Sequence, residues 1–178
     1  MITELSDRII EPVTLEDVKD HLGYPRDDTT WDDAIRRNIT AARQMLEGRM
    51  DMYIAMRGVR ISPLAPGPVE LPYHLVTVEK VSALDSDGVP QDLQYEVTGT
   101  EMHRVLHYIL PEDNEDEDGN PVIYTEPSAV VRVGFETCPE DIATGIIDIV
   151  KAKYDRAPVA PVLQDVLATL AHYRRYRL

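Results

Sequence analysis

Apolar residues recur along this chain at two spacings, and the spacing changes twice. From Thr14 to Arg49 they fall three and four apart, from about Asp51 to Phe135 they mostly alternate, and from Pro139 onward the helical spacing returns. Leu15, Val18 and Leu22 share one face of a short helix over 14–22. Thr14 and Asp17 form a capping-box pair, Val13 is placed to staple to Val18, and Gly23 stops the helix. Trp31, Ile35, Ile39, Ala42 and Leu46 mark a longer helix over 31–49, capped by Thr30, with Asn38 interrupting the stripe as a buried amide. The segment 51–135 predicts an antiparallel β region, with short strands near 53–57, 59–61, 93–97, 105–110, 122–125 and 129–135. Its firmest strand is Leu75 to Leu84, which runs into a DSDG turn.

The helix over 139–157 organises the rest. Thr137 and Glu140 fit a capping box, with Pro139 in the first turn and Pro158 beyond the end. Ile142, Ile146 and Ile149 form one apolar ridge, and Ala143, Ile147, Val150 and Tyr154 form a second. Together they span an arc of roughly 160°, wider than a surface helix needs. Either the helix is deeply buried, or the second ridge (Ala143, Ile147, Val150, Tyr154) faces a neighbouring subunit. Ala157 to Pro161 reads as a stiff spacer before a last helix, Val162 to Leu178. That helix carries a narrow stripe, Leu163, Val166, Leu167 and Leu170. It ends in Tyr173, Arg174, Arg175, Tyr176 and Arg177. The arginines either complement the helix dipole or, with the stripe, form a partner-docking element. The order helix–helix, strands, helix–helix predicts an α+β fold. We expect a helical bundle with an inserted antiparallel β region (residues 1–157) and a protruding C-terminal helix behind its linker (158–178).

Composition narrows the function. With 32 acidic against 18 basic residues, the net charge is −14, which disfavours direct binding to a phosphate backbone. Cys138 is the only cysteine, so no intrachain disulfide forms. The first ten residues lack a signal-peptide pattern, and no apolar run is long enough to span a membrane.

Candidate chemistry is sparse. Asn114, Asp116, Asp118 and Gly119 match the start of a calcium loop, but Thr125 stands where the bidentate glutamate belongs. The run 112–118 therefore reads as a solvated hairpin tip. His103 and His107 have the spacing of a zinc helix but lie in a strand-like segment without the accompanying glutamate. Cys138, at a helix N-terminus, is either an activated thiol or a small residue near the cap. No nucleophile elbow or phosphate loop is present. We expect no catalytic residue, metal or cofactor. The alternative is a small soluble metal-binding hydrolase built around His103, His107 and the acidic run.

Several segments taken together resemble the head–tail connector, or adaptor, proteins of long-tailed double-stranded DNA phages and gene transfer agents. They are VTLEDVKDHLG, DDAIRRNITAARQMLEGRM, VELPYHLVTVEKVSALDSDGV, YEV and VVRVGFETCPEDIATGIIDIVKAKYDRAP, covering Val13 to Pro158 in the family's order. The acidic insert 112–119 departs from the pattern. The resemblance implies a structural, non-enzymatic virion protein. It implies a dodecameric ring below the portal that joins it to a tail terminator or stopper and lets DNA pass without specific binding. It also implies assembly in the host cytoplasm and no membrane partner.

Overall fold

The computed structural model describes residues 2–5, 9–72, 75–100, 103–111 and 122–173. The elements in chain order are β1 (Ile2–Glu4), α1 (Leu15–Leu22), α2 (Asp32–Met50), β2 (Arg57–Ile61), β3 (Val69–Glu70), β4 (Leu75–Leu84), β5 (Pro90–Asp92), β6 (Gln94–Thr100), β7 (His103–Ile109), β8 (Thr125–Val133), α3 (Glu140–Tyr154) and α4 (Val159–Thr169). A 3-10 turn, Leu170–Tyr173, follows α4. This is an α+β chain with two antiparallel sheets. It divides into two compact units, each made of two chain segments: Met1–Arg8 with Arg57–Gly134, and Ile9–Met56 with Phe135–Leu178.

In the β unit the five-stranded sheet has the order β1-β2-β8-β4-β5, and the three-stranded sheet the order β3-β7-β6. β8 lies at the centre of the first. Ala129, Val131 and Val133 alternate to its buried face, and Val59 and Val78 both stand opposite Val131. Residues Ile2–Glu4, which carry no strand pattern of their own, form strand β1. Three residues are too few to show a period, and the pairing Ile2–Ile61 to Glu4–Val59 is what makes them a strand. The DSDG turn forms as expected. The Asp85 carboxylate accepts from the N–H groups of Asp87 (3.0 Å) and Val89 (2.8 Å), and from Gln91 Nε2 (2.9 Å). These bonds hold its carboxyl below the ordinary aspartate value, the one from Gln91 most strongly.

In the helical unit, α1 is stopped and started by the residues that predicted it. The Asp17 N–H donates to Thr14 Oγ1, the Thr14 N–H donates back to Asp17, and Gly23 takes a left-handed conformation at the end. The caps expected of Thr30 and Thr137 do not form: Trp31 and Pro139 occupy the cap positions of α2 and α3, with no side-chain cap bond. Asn38 is half-exposed rather than a buried amide. α2 buries Ile35, Ile39, Ala42, Leu46 and Met50. It also buries Arg43, whose guanidinium meets Glu11 (2.8 Å) and Glu47 (2.6 Å). Glu47 in turn accepts from the N–H groups of Ile54 and Ala55, which fixes the chain just after α2.

α3 ends at Tyr154, short of the expected 157, and α4 begins at Val159. Pro158 and Pro161 therefore do not make a spacer before the last helix. Pro158 is its cap, and Pro161 sits in a first turn whose N–H groups have no intrahelical acceptor. α4 packs on α3 and α2. Leu163, Val166 and Leu170 are buried there, so the described part of the C-terminal helix lies against its own unit and does not protrude. A narrow stripe is what one helix needs to cover another.

Candidate functional site

α3 presents Ile142, Ile146, Ile149 and Val150 to the interior. Its polar face is half covered by α4. Gly145 and Ala152 let α4 come close, and both are buried. Where the helices part, they leave an open groove of about 510 Å³. Its floor is apolar, from Gly145, Ala152, Val166 and Leu170, and its walls carry Asp141, Asp148, Asp155 and Asp165 with one cation, Lys151. Asp141 closes one end. Its Oδ1 accepts from the Tyr173 hydroxyl at 3.1 Å, and its Oδ2 lies 3.3 Å from His172 Nε2. The Tyr173 ring meets Phe135 edge-on. The signal in the sequence was the pair Gly145 and Ala152, small residues seven apart on a helix otherwise rich in isoleucine.

The outer side of α4 borders a second open groove of about 490 Å³, lined by Arg49, Ala160, Leu163, Gln164, Leu167, Ala168 and Ala171. Of the residues expected to dock a partner, Leu163, Val166 and Leu170 are buried, and Leu167 and Tyr173 are half-buried. Arg174, Arg175, Tyr176 and Arg177 lie outside the described residues. Of those expected at a subunit surface, Val150 is closed to solvent within its own unit. Ala143, Ile147 and Tyr154 retain exposed surface. Tyr154 belongs to an aromatic group with Tyr24 and Trp31, in edge-to-face contacts of 5.6 and 6.3 Å. Its hydroxyl bonds that of Tyr24, and this bond, more than burial, pushes it up to about 12. Trp31 was read as the first core residue of its stripe, but 48% of it is exposed. It stands at the helix cap, where the stripe leaves the core.

The candidate chemistry stays dispersed. His103 lies 3.6 Å from Glu70, and His107 Nε2 lies 3.1 Å from Thr98 Oγ1, so the two histidines engage different neighbours in the β3-β7-β6 sheet. Four residues apart on a strand, they stand about 13 Å from each other. Among the described residues no group of His, Cys, Asp and Glu is arranged to hold a metal. The acidic run 112–118 and its calcium-like positions lie outside the described residues. The Cys138 thiol is half-buried. Burial, with Asp141 nearby, pushes it up to about 11, the reverse of an activated nucleophile. Lys19 is a buried cation that the sequence did not show. Lys19 Nζ donates to the carbonyls of Arg26 (3.2 Å) and Asp28 (2.6 Å), holding the loop between α1 and α2.

No protein-family model matches the sequence, and no curated protein is similar to it. Solved structures are similar over the whole chain. A chain in the neck of an empty gene transfer agent (GTA) particle, solved with C6 symmetry, superposes with a TM-score of 0.72 at 16% identity, covering 100% of this chain and 97% of that one. This protein shares the fold of a GTA neck chain. A chain of the native GTA virion gives 0.70 at 17% identity, and one from the native neck with C12 symmetry gives 0.67 at 20%, each with 100% and 97% coverage.

Proposed function

We propose that the chain is a structural neck subunit, a head–tail connector (adaptor) that assembles as a dodecameric ring beneath the portal. The observation that carries this is the end-to-end likeness of fold to chains of GTA necks, one of them in a C12-symmetric assembly. It is supported by the resemblance of the segments between Val13 and Pro158, and by the separation of His103 from His107, which engage different neighbours. In this reading the protein is not an enzyme and resides in the virion at the head–tail junction, after assembly in the host cytoplasm. The ring contacts the portal on one side and a tail terminator or stopper on the other. The acidic composition keeps passing DNA from adhering to the ring, because like charge repels the phosphate backbone.

The surface proposed for the neighbouring subunit is the exposed part of the second ridge, Ala143, Ile147 and Tyr154. The portal-facing element is the outer side of α4 with Leu167, followed by Tyr173 and Arg174 to Arg177. Val166 and Leu170 would reach the portal only if α4 left α3, and Leu163, which borders the outer groove, is itself buried. The test is electron microscopy of the purified protein with and without portal, alongside portal pull-down by a chain lacking 174–178. Rings with portal, and a salt-dependent loss of capture by the shortened chain, are expected. A monomer that ignores portal and takes up stoichiometric zinc or calcium overturns the reading.

A further inference from the structure

The two sheets of the β unit turn their buried faces toward each other. Val59, Val81 and Val131 fill that face of the five-stranded sheet and Leu106 that of the three-stranded one, and the Tyr95 hydroxyl donates to the carbonyl of Val78 on β4 at 3.1 Å. Strand side chains alternate, so the residues between these stand on outer faces that point away from each other. On the outer face of the five-stranded sheet, Arg60, Val130 and Lys80 lie in one row across β2, β8 and β4, with Arg132 two residues along β8. Strand spacing puts the Arg60 and Lys80 backbones about 10 Å apart. Lys80 meets Asp92 and Arg132 meets Glu79, but Arg60 is exposed and makes no ion pair among the described residues. The face therefore keeps an excess of cations on a chain of net charge −14. The outer face of the three-stranded sheet has the opposite sign. Glu96, opposite His107, and Glu70, opposite Val105, are both exposed, and no Lys or Arg stands with them. Ile109, on the same face, is 63% exposed.

We propose that these two faces meet between copies of the chain, the cationic face of one against the Glu70 and Glu96 face of the next. Because they point apart, one chain cannot bring its own pair together, whereas a second copy can. Val130 on one side, and Ile109 with Val105 on the other, give the contact an apolar centre. Opposite charge around that centre sets which faces meet. The contact is heterologous: each copy keeps one face open for a further copy, which yields a ring when the rotation closes. Seven residues across three strands present roughly 300 Å², against about 800 Å² a side in a stable interface. The sheets thus supply the register, and the Ile147 ridge supplies further buried area. That copies associate at all rests on the proposed neck reading; which faces of the β unit meet does not.

The experiment reverses each face in turn in the full chain. One variant carries Arg60→Glu with Lys80→Glu, so both its outer faces are acidic. The other carries Glu70→Lys with Glu96→Lys, so both are basic. Association is read by light scattering at low salt, with portal added if the unaltered chain needs it, and folding by circular dichroism. Each variant alone should associate at least about tenfold more weakly than the unaltered chain. An equimolar mixture should recover, because the two kinds then alternate around the assembly. A variant that assembles as well as the unaltered chain, or a mixture that recovers nothing, overturns the proposal. Should either variant fail to fold, p-benzoylphenylalanine placed at Ile109 of the otherwise unaltered chain is irradiated and the cross-linked peptides are mapped. Cross-links between chains, into β2, β4 or β8, are expected; cross-links within one chain, cross-links elsewhere, or none overturn the proposal. Rings from the unaltered chain and from both variants alike remove this contact and leave the neck reading standing. An unaltered chain that stays monomeric with and without portal removes both.

Discussion

Gly145 of α3 meets Val166 of α4 so closely that a Cβ placed on the glycine would stand 2.6 Å from Val166 Cγ1. Valine has little rotamer freedom on a helix, so it cannot swing clear. Gly145→Ala should therefore push α4 off α3. The overpacking costs about 1–3 kcal/mol, offset in part by the roughly 1 kcal/mol that alanine gains over glycine within a helix. Urea denaturation should show a net loss, and adding Val166→Ala should recover most of it. Full stability in Gly145→Ala alone would mean that the helices do not pack as described.

Arg43 is 2% exposed and is held by Glu11 and Glu47. Removing one member of a buried ionic cluster leaves the others uncompensated, at about 3–5 kcal/mol. Arg43→Met should cost that much in equilibrium unfolding. Glu47→Gln should cost less, because an amide oxygen can still accept from the N–H groups of Ile54 and Ala55.

Asp85 sets an acid limit on its turn. Its carboxyl is held below the ordinary 3.8, so the folded state binds its proton more weakly than the unfolded chain does. The stabilisation is present above 3.8 and is lost as pH falls from there through the lower, folded value. Asp85→Asn should flatten the stability profile in that acid window and leave the slope above pH 5 unchanged. An unaltered acid slope in the variant would remove Asp85 as the cause.

Ile147 is half-exposed on the ridge proposed for the neighbouring subunit. Ile147→Asp should yield a folded monomer that no longer forms rings, read by light scattering and circular dichroism together. An unfolded product would place Ile147 in the monomer core.

Local chemistry was legible where partners lie close in sequence. The Thr14–Asp17 box, Gly23 and the Asp85 turn all formed from residues within a few positions of one another. Partners far apart were not legible. Arg43 depends on Glu11, 32 positions away, and a charged residue reads as exposed until such a partner is known. Pro158 and Pro161 misled for a different reason. A proline breaks a helix interior but suits its first turn, and only the position of that turn separates the two outcomes. The groove itself was not legible, because α4, which makes it a groove, approaches α3 through Gly145 and Ala152, residues with almost no hydrophobic signal.

The place of β8 in its sheet bears on how the chain emerges during synthesis. β2 and β4 precede it by tens of residues, yet both pair with β8 and not with each other in the order β1-β2-β8-β4-β5. Until Thr125–Val133 leaves the ribosome, the two longer flanking strands have unmatched edges, and the sheet lacks its middle. Its keystone is the last of the described strands to be made, so translation completes this sheet from the outside inward.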